Sequence, residues 1–198
     1  MPNENIQELT SANIVAFIAD IFDRRGGEAY LGEPVTVAEH VLQGATLAEQ
    51  GNQPDEVIAG ALLHDIGHFT SEFGTFSMDD TEDRYHEAAG ARVLESFFPA
   101  TIVDCVRHHV AAKRYLCATR PKYIDRLSPA SVHSLNLQGG PMSNDEVKAF
   151  EKNPNLKRII QVRHLDDSGK REGGETYPFS HFVPLLQRLV DQHLGGKA

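Results

Sequence analysis

Apolar residues recur at intervals of three and four along most of the chain, the spacing of helices that bury one stripe. Ile14, Val15, Phe17, Ile18, Ile21 and Phe22 form the first stripe, which predicts a helix over Ser11 to Arg24 ended by Gly26-Gly27. A loop follows from Glu28 to Pro34. Thr36-Val37-Ala38-Glu39 sets a hydroxyl three residues ahead of a carboxylate, a capping box that opens a second helix to about Gln50. Its stripe is Val37, Val41 and Leu47, with His40 beside it. Pro54 suits the first turn of a third helix, which carries the apolar run Val57 to Leu63 and ends at His64-Asp65. Gly67 suits the left-handed position that often closes a helix.

A loop rich in Gly, Ser and Asp is expected from Phe69 to Thr81. A fourth helix is expected from Glu82 to Phe98, with Tyr85, His86, Ala89, Val93, Leu94 and Phe97 on one side and Pro99 as its stop. A fifth spans Thr101 to Tyr115 and turns Ile102, Val103, Val106, His109 and Val110 inward. Short helices are expected from about Lys122 and from Ser128-Pro129, before a break at Gln138-Gly139-Gly140-Pro141. Ser143-Asn144-Asp145-Glu146 is a second capping box. Asn155 to Ser168 and Pro178 to His193 complete the helical pattern, with a Gly173-Gly174 loop between them. No stretch alternates with period two and no segment repeats, so the fold class is all-α. At 198 residues the chain is expected to be one domain, 1–198, with a core of about 37–170. The N-terminal helix and loop, 11–35, and the C-terminal helix, 178–194, would flank that core.

Composition narrows the function classes. Hydrophobic residues are 40% and charged residues 24%, with a net charge of -9. There is no basic stripe, which argues against nucleic acid as a partner. No apolar run approaches the ~20 residues of a membrane span, and the polar segment Met1 to Thr10 is not a signal peptide. Cys105 and Cys117 are too few for a disulfide framework, so a cytoplasmic location is expected. The compositional signal is the ten histidines.

Three of them, His40, His86 and His109, lie on apolar sides of separate expected helices. A fourth helix ends in His64-Asp65, and a later one in Asp166-Asp167. Any one such histidine is more often a satisfied core or surface residue than a ligand. Burying several imidazoles and carboxylates without partners is costly, and a shared metal site removes that cost. His40, His64, Asp65, His86, His109 and Asp166 make six candidate ligands, which suits two metals with a bridging carboxylate better than one.

This order, His40, then His64-Asp65, then His86 in His-Glu-Ala-Ala-Gly-Ala, then His109, then Asp166, resembles the HD-domain pattern over about Val37 to Lys170. Further stretches resemble the HD-domain organophosphonate oxygenases. They are Tyr30-Leu31-Gly32-Glu33, His109 through Tyr115, Ser131 through Gln138, and Arg163-His164-Leu165-Asp166-Asp167. The resemblance implies a helical bundle around a mixed-valent di-iron site and O₂ as co-substrate. The reaction it implies splits the carbon–phosphorus bond of 1-hydroxy-2-aminoethylphosphonate or its N-trimethyl analogue. The products would be glycine or glycine betaine, and phosphate. The loop 28–33 and the stretch 131–138 are closest to the trimethylammonio enzymes.

In that reading Asp65 bridges the irons, His40, His64 and Asp166 complete one, and His86 and His109 hold the other. Lys113, four residues after His109, shares its helix face and offers a point charge to the phosphonate. Arg163, three before Asp166, offers a fork of donors. Ser131, Ser134 and Gln138 are candidate hydrogen-bond partners, and His68, one turn past His64, is a candidate contact to substrate or metal. The resemblance also assigns Tyr30 to an iron position before substrate arrives and Glu33 to the cationic end of the substrate. A metal-dependent HD phosphohydrolase is the alternative enzyme. An HD module that senses a ligand without turnover is a third possibility, against which the complete ligand set argues.

Overall fold

In a computed structural model of the chain, residues 8–30, 32–70, 81–83 and 85–196 are described. Helix α1 (Ile14–Arg25) buries Ile14, Val15, Ile18, Ile21 and Phe22, the expected stripe. Helix α2 (Val37–Gln50) opens on the expected capping box: Thr36 accepts from the Glu39 N–H, and Glu39 accepts from the Thr36 N–H. Helix α3 (Asp55–Leu63) is apolar on every side and Val57 through Leu63 are all buried. Such a helix must be enclosed, and α3 contacts α2 and three later helices described below.

Gly67 does not close α3 in the left-handed region. It begins a short helix α4 (Gly67–Thr70), and a Cβ there would lie 1.8 Å from the His86 carbonyl oxygen. The glycine is needed for close approach, not for its backbone angle. The expected loop beyond Thr70 lies mostly outside the described residues, as does Leu31. The fourth expected helix is shorter than its pattern: α5 runs His86–Leu94. Tyr85, expected inward, sits at φ 51 and is 65% exposed. Its left-handed backbone ends any helix arriving from Glu82 and makes His86 the first helical residue. Helix α6 (Ala100–Thr119) is a turn longer than expected.

A 3₁₀ turn (Ile124–Arg126), α7 (Pro129–Leu137), α8 (Asn144–Phe150) and α9 (Leu156–Ser168) follow. Ser128 caps α7 and the Ser143–Glu146 box caps α8. Helix α10 (Phe179–Gly195) returns to pack on α1 and α3. Helices α2, α6, α9 and α10 enclose α3, and α5 joins α4 to α6. One apolar core runs from Ile14 through Leu63 and Ile102 to Val190, so the flanking helices share it. Leu47 departs from expectation: it is 43% exposed, while the main contacts of α2 are with α3 and α9.

Among the described residues there is no strand, only an isolated antiparallel bridge between Ala29 and Thr36. Around it the Tyr30 N–H donates to Val35 O, 3.1 Å, the Glu33 N–H to Tyr30 O, 2.7 Å, and the Val37 N–H to Glu28 O, 2.9 Å. These bonds fold the loop ahead of α2 over the ligand-bearing end of the bundle. Among the described residues no helix is long and apolar enough to cross a membrane.

Candidate metal centre and substrate cavity

The enclosed position of α3 determines where the chemistry falls. Its C-terminal end delivers His64 and Asp65 to the middle of the bundle. His40 from α2, His86 from the start of α5, His109 from α6 and Asp166 from α9 converge on them, and all six are buried.

Three of the four imidazoles are oriented by a backbone carbonyl. His40 Nδ1 lies 2.9 Å from Gly169 O, His64 Nδ1 2.9 Å from Ala61 O, and His109 Nδ1 2.8 Å from Val106 O. A carbonyl only accepts, so each Nδ1 carries the proton and each Nε2 presents a lone pair. His86 Nδ1 faces Glu87 Oε2 at 3.6 Å. The Nε2 atoms then meet in pairs, His40 to His64 at 3.1 Å and His86 to His109 at 3.0 Å. Two lone pairs cannot face each other at that distance, so a proton or a metal ion must stand between or beside them.

Asp65 serves both pairs with different oxygens. Its Oδ2 lies 3.5 Å from His40 Nε2 and 3.4 Å from His64 Nε2, and its Oδ1 lies 3.3 Å from both His86 and His109 Nε2. Asp166 Oδ1 stands 3.5 Å from His40 Nε2. Asp65 Oδ2 and Asp166 Oδ1 are buried with no hydrogen-bond donor among the described residues. Buried acceptors left unmatched are costly, and imidazole with carboxylate is a donor set that divalent transition metals accept. The residues fit two ions, with Asp65 common to both seats. His68 also comes within ligand range of Asp65 and His86.

The electrostatics show the same demand for positive charge. Burial opposes ionisation of Asp65, yet His64, His109 and His86 hold it well below the usual carboxylate range. Burial also opposes the ionised form of Asp166, and Arg163 and His40 hold its carboxyl low. Burial would lower His64, but Asp65 and Asp166 push it up to about 9. Burial likewise opposes His86, which Asp65 raises. Burial keeps His109 low, and burial with the neighbouring His86 keeps His68 well below the ordinary histidine range.

Beside the cluster lies a cavity with about 440 Å³ of space, part of it open to solvent. Its walls bring together Tyr30, Glu33, His68, Lys113, Ser131, Ser134, Gln138 and Arg163, every expected substrate-side residue. Tyr30 stacks on His40, with ring centroids 4.1 Å apart, and meets His68 edge-on. Burial, then Asp65 and Asp166, hold its hydroxyl well above the ordinary phenol range. His68 stacks on His86 at 4.2 Å, and its Nε2 is buried without a hydrogen-bond partner among the described residues. Lys113 Nζ donates to Ser134 Oγ at 2.7 Å, and burial, then Arg163, push its ammonium down to about 7. Gln138 Oε1 is likewise buried and unmatched among the described residues.

Arg163 is more committed than its spacing implied. Its NH1 donates to Asp166 Oδ2 at 2.6 Å, its NH2 to Asp167 Oδ1, and its Nε to the Tyr123 hydroxyl at 3.1 Å. Tyr123 in turn donates to Asp167 Oδ2 at 2.5 Å. This network aims Asp166 at His40, and sequence spacing did not single out Tyr123. Lys170 was also missed. It lines the cavity, donates to Ser131 Oγ at 2.8 Å, and lies 3.6 Å from Glu33 Oε1. It falls just past Gly169, where helical spacing no longer says which residues share a face.

The sequence pattern of the HD domain matches residues 37–162. The chain is 69% identical over 195 residues to [1-hydroxy-2-(trimethylamino)ethyl]phosphonate dioxygenase (glycine-betaine-forming) of Leisingera caerulea, covering 98% of this chain and 100% of the relative. It is 41% identical over 148 residues to hydroxymethylphosphonate dioxygenase of Gimesia maris, covering 74% of each. It is 32% identical over 192 residues to an uncharacterized protein of Acanthamoeba polyphaga mimivirus, covering 96% of this chain and 87% of that one. Ligand order, buried donor cluster and these likenesses agree, and the chain belongs to the HD-domain family, among its phosphonate dioxygenases.

Proposed function

We propose that the protein uses O₂ to cleave the carbon–phosphorus bond of 1-hydroxy-2-(trimethylammonio)ethylphosphonate or a close analogue, forming glycine betaine and phosphate. The supporting observation is the pairing of two facing imidazole pairs, with Asp65 between them, and a cavity lined by Lys113, Arg163 and Lys170 as well as by the carboxylate of Glu33. The close Leisingera relative, named for this substrate and product, supports the choice of ligand. The alternative, metal-dependent hydrolysis of a phosphate ester, is not favoured by these likenesses.

Two irons, held by His40, His64, Asp65 and Asp166 and by Asp65, His86 and His109, would supply the redox chemistry with O₂. The C–H and C–P bonds at carbon 1 break, the carbon leaves as a carboxylate, and the two oxygens gained appear in carboxylate and phosphate. Lys113 and the remaining N–H groups of Arg163 hold the phosphonate, with Ser134 keeping the Lys113 ammonium in place and Ser131 facing the same cavity. His68, neutral and with a bare Nε2, accepts the hydrogen bond of the substrate hydroxyl. Glu33 and the face of Tyr30 receive the cationic head, since a carboxylate and a ring face both attract a quaternary ammonium.

Iron-loaded protein tests the reading. Phosphate release from the trimethylammonio substrate should require O₂, with one atom of labelled O₂ entering glycine betaine. Repeated anaerobic turnover, or full activity with zinc alone, would refute it in favour of hydrolysis.

A further inference from the structure

Lys170 is the cavity cation that the substrate reading leaves without a task. Its position is fixed from behind: Gly169 O is bonded to His40 Nδ1, and a Cβ on Gly169 would lie 2.6 Å from His40 O. The side chain that follows enters the cavity with little freedom and is 13% exposed. Its ammonium lies 3.6 Å from Glu33 Oε1, whose side chain is 10% exposed, and 5.8 Å from the centre of the Tyr30 ring. Ser128 Oγ also donates to Glu33 Oε1, so the carboxylate is held in place.

A carboxylate and an aromatic face around one nearly enclosed point are the elements of a cation seat. In the protein without substrate, that seat already holds a cation belonging to the chain. We propose that Lys170 is a tethered competitor for the seat formed by Glu33 and Tyr30, filling it in the free enzyme and yielding it to the quaternary ammonium of the substrate. The proposal rests on the substrate reading above and adds a specificity-determining residue to it.

Two consequences of opposite sign follow. A ligand with a cationic head must displace Lys170, so the lysine weakens its binding. A ligand with no cation leaves the pair intact, so the lysine spares it the cost of a buried, unpaired Glu33. Lys170 therefore narrows the preference for cationic phosphonates over uncharged ones. If the tether fills the seat about four-fifths of the time, it reduces the apparent affinity of a cationic head about fivefold.

Calorimetry on the iron-loaded full chain under anaerobic conditions tests this, because ligands bind there without turnover. Lys170→Met keeps the stem and removes the charge, and Lys170→Gln is the second variant. Three ligands are used: tetramethylammonium, the trimethylammonio phosphonate and hydroxymethylphosphonate. In either variant the first two should bind about fivefold more tightly, hydroxymethylphosphonate should not bind more tightly, and adding Glu33→Gln should abolish the gain. Unchanged or weaker tetramethylammonium binding overturns the proposal, and so does its failure to bind either variant. Equal weakening of both phosphonates also overturns it and makes Lys170 a phosphonate contact. Failure of the substrate reading looks different: wild-type and variants alike would release no phosphate in air, while the tetramethylammonium result would still stand.

Discussion

At the scale of single residues, Lys113 and Arg163 look equivalent in sequence and differ in structure. Burial, then Arg163, hold Lys113 near 7 instead of the usual lysine range, so in the free protein it is about half protonated at neutral pH. A dianion beside it favours the charged form and raises that value. Above about pH 7, binding of a phosphonate should therefore draw in a proton, up to about one per ligand near pH 8. Calorimetry in buffers of different ionisation enthalpy measures the uptake, and its persistence in Lys113→Ala would assign the proton elsewhere. Lys113→Ala should retain metal and lose at least about tenfold in kcat/KM, ~1.4 kcal/mol. The exposed Lys122 provides a control variant. Arg163→Ala should do more, because its guanidinium pairs with Asp166. Removing one partner of a buried pair typically costs about 3–5 kcal/mol. Metal analysis should show reduced occupancy in Arg163→Ala and full occupancy in Lys113→Ala.

At the scale of helices, glycine contacts make a sharper test than glycine propensities. Gly67→Ala drives a Cβ into the His86 carbonyl and must separate α4 from α5. The expected outcome is a loss of at least about 1–3 kcal/mol by denaturant titration, together with impaired metal binding at the His86–His109 seat. Gly44→Ala in α2 meets nothing nearer than 3.6 Å and should be neutral or stabilising by up to about 1 kcal/mol. The same contrast explains what was legible in sequence. The capping boxes at Thr36 and Ser143 are local chemistry, and both occur where their spacing put them. The cavity positions of Lys113 and Arg163 were legible because helical spacing ties each to a candidate ligand. Gly67 and Tyr85 were misread because their conformations answer to a neighbouring helix and to a backbone angle, neither of which periodicity encodes. Tyr123 and Lys170 lie outside regular helix, so no spacing rule pointed them at the cavity.

At the scale of the whole molecule, a chain of net charge -9 gives a phosphonate no long-range attraction. Recognition must come from the reversal of sign inside the cavity and from metal. The candidate ligands come from α2, α5, α6 and α9 and from the residues just past α3, so a metal held by them would join most of the bundle. An ion that binds only the folded chain adds about 2.7 kcal/mol at a free concentration 100-fold above Kd. For this length that corresponds to a melting temperature roughly 5–10 °C higher with metal than after chelation, read by calorimetry at fixed protein concentration. Equal melting temperatures with and without metal would mean that the ligand cluster does not couple the helices.

The hairpin ahead of α2 has one further consequence. The bonds that close it, from Tyr30 N–H to Val35 O and from Val37 N–H to Glu28 O, are made by backbone. None uses the side chain of Glu33, and the Tyr30 ring rests on His40 without a role in the closure. The backbone bonds of the loop thus close without these two side chains, which reach beyond it instead, Glu33 to Ser128 and Lys170 and Tyr30 into the core beside His40. An exchange at either position leaves the loop's own backbone bonds intact while it alters what the cavity presents, so substrate range can vary in this short segment while the candidate metal ligands stay unchanged.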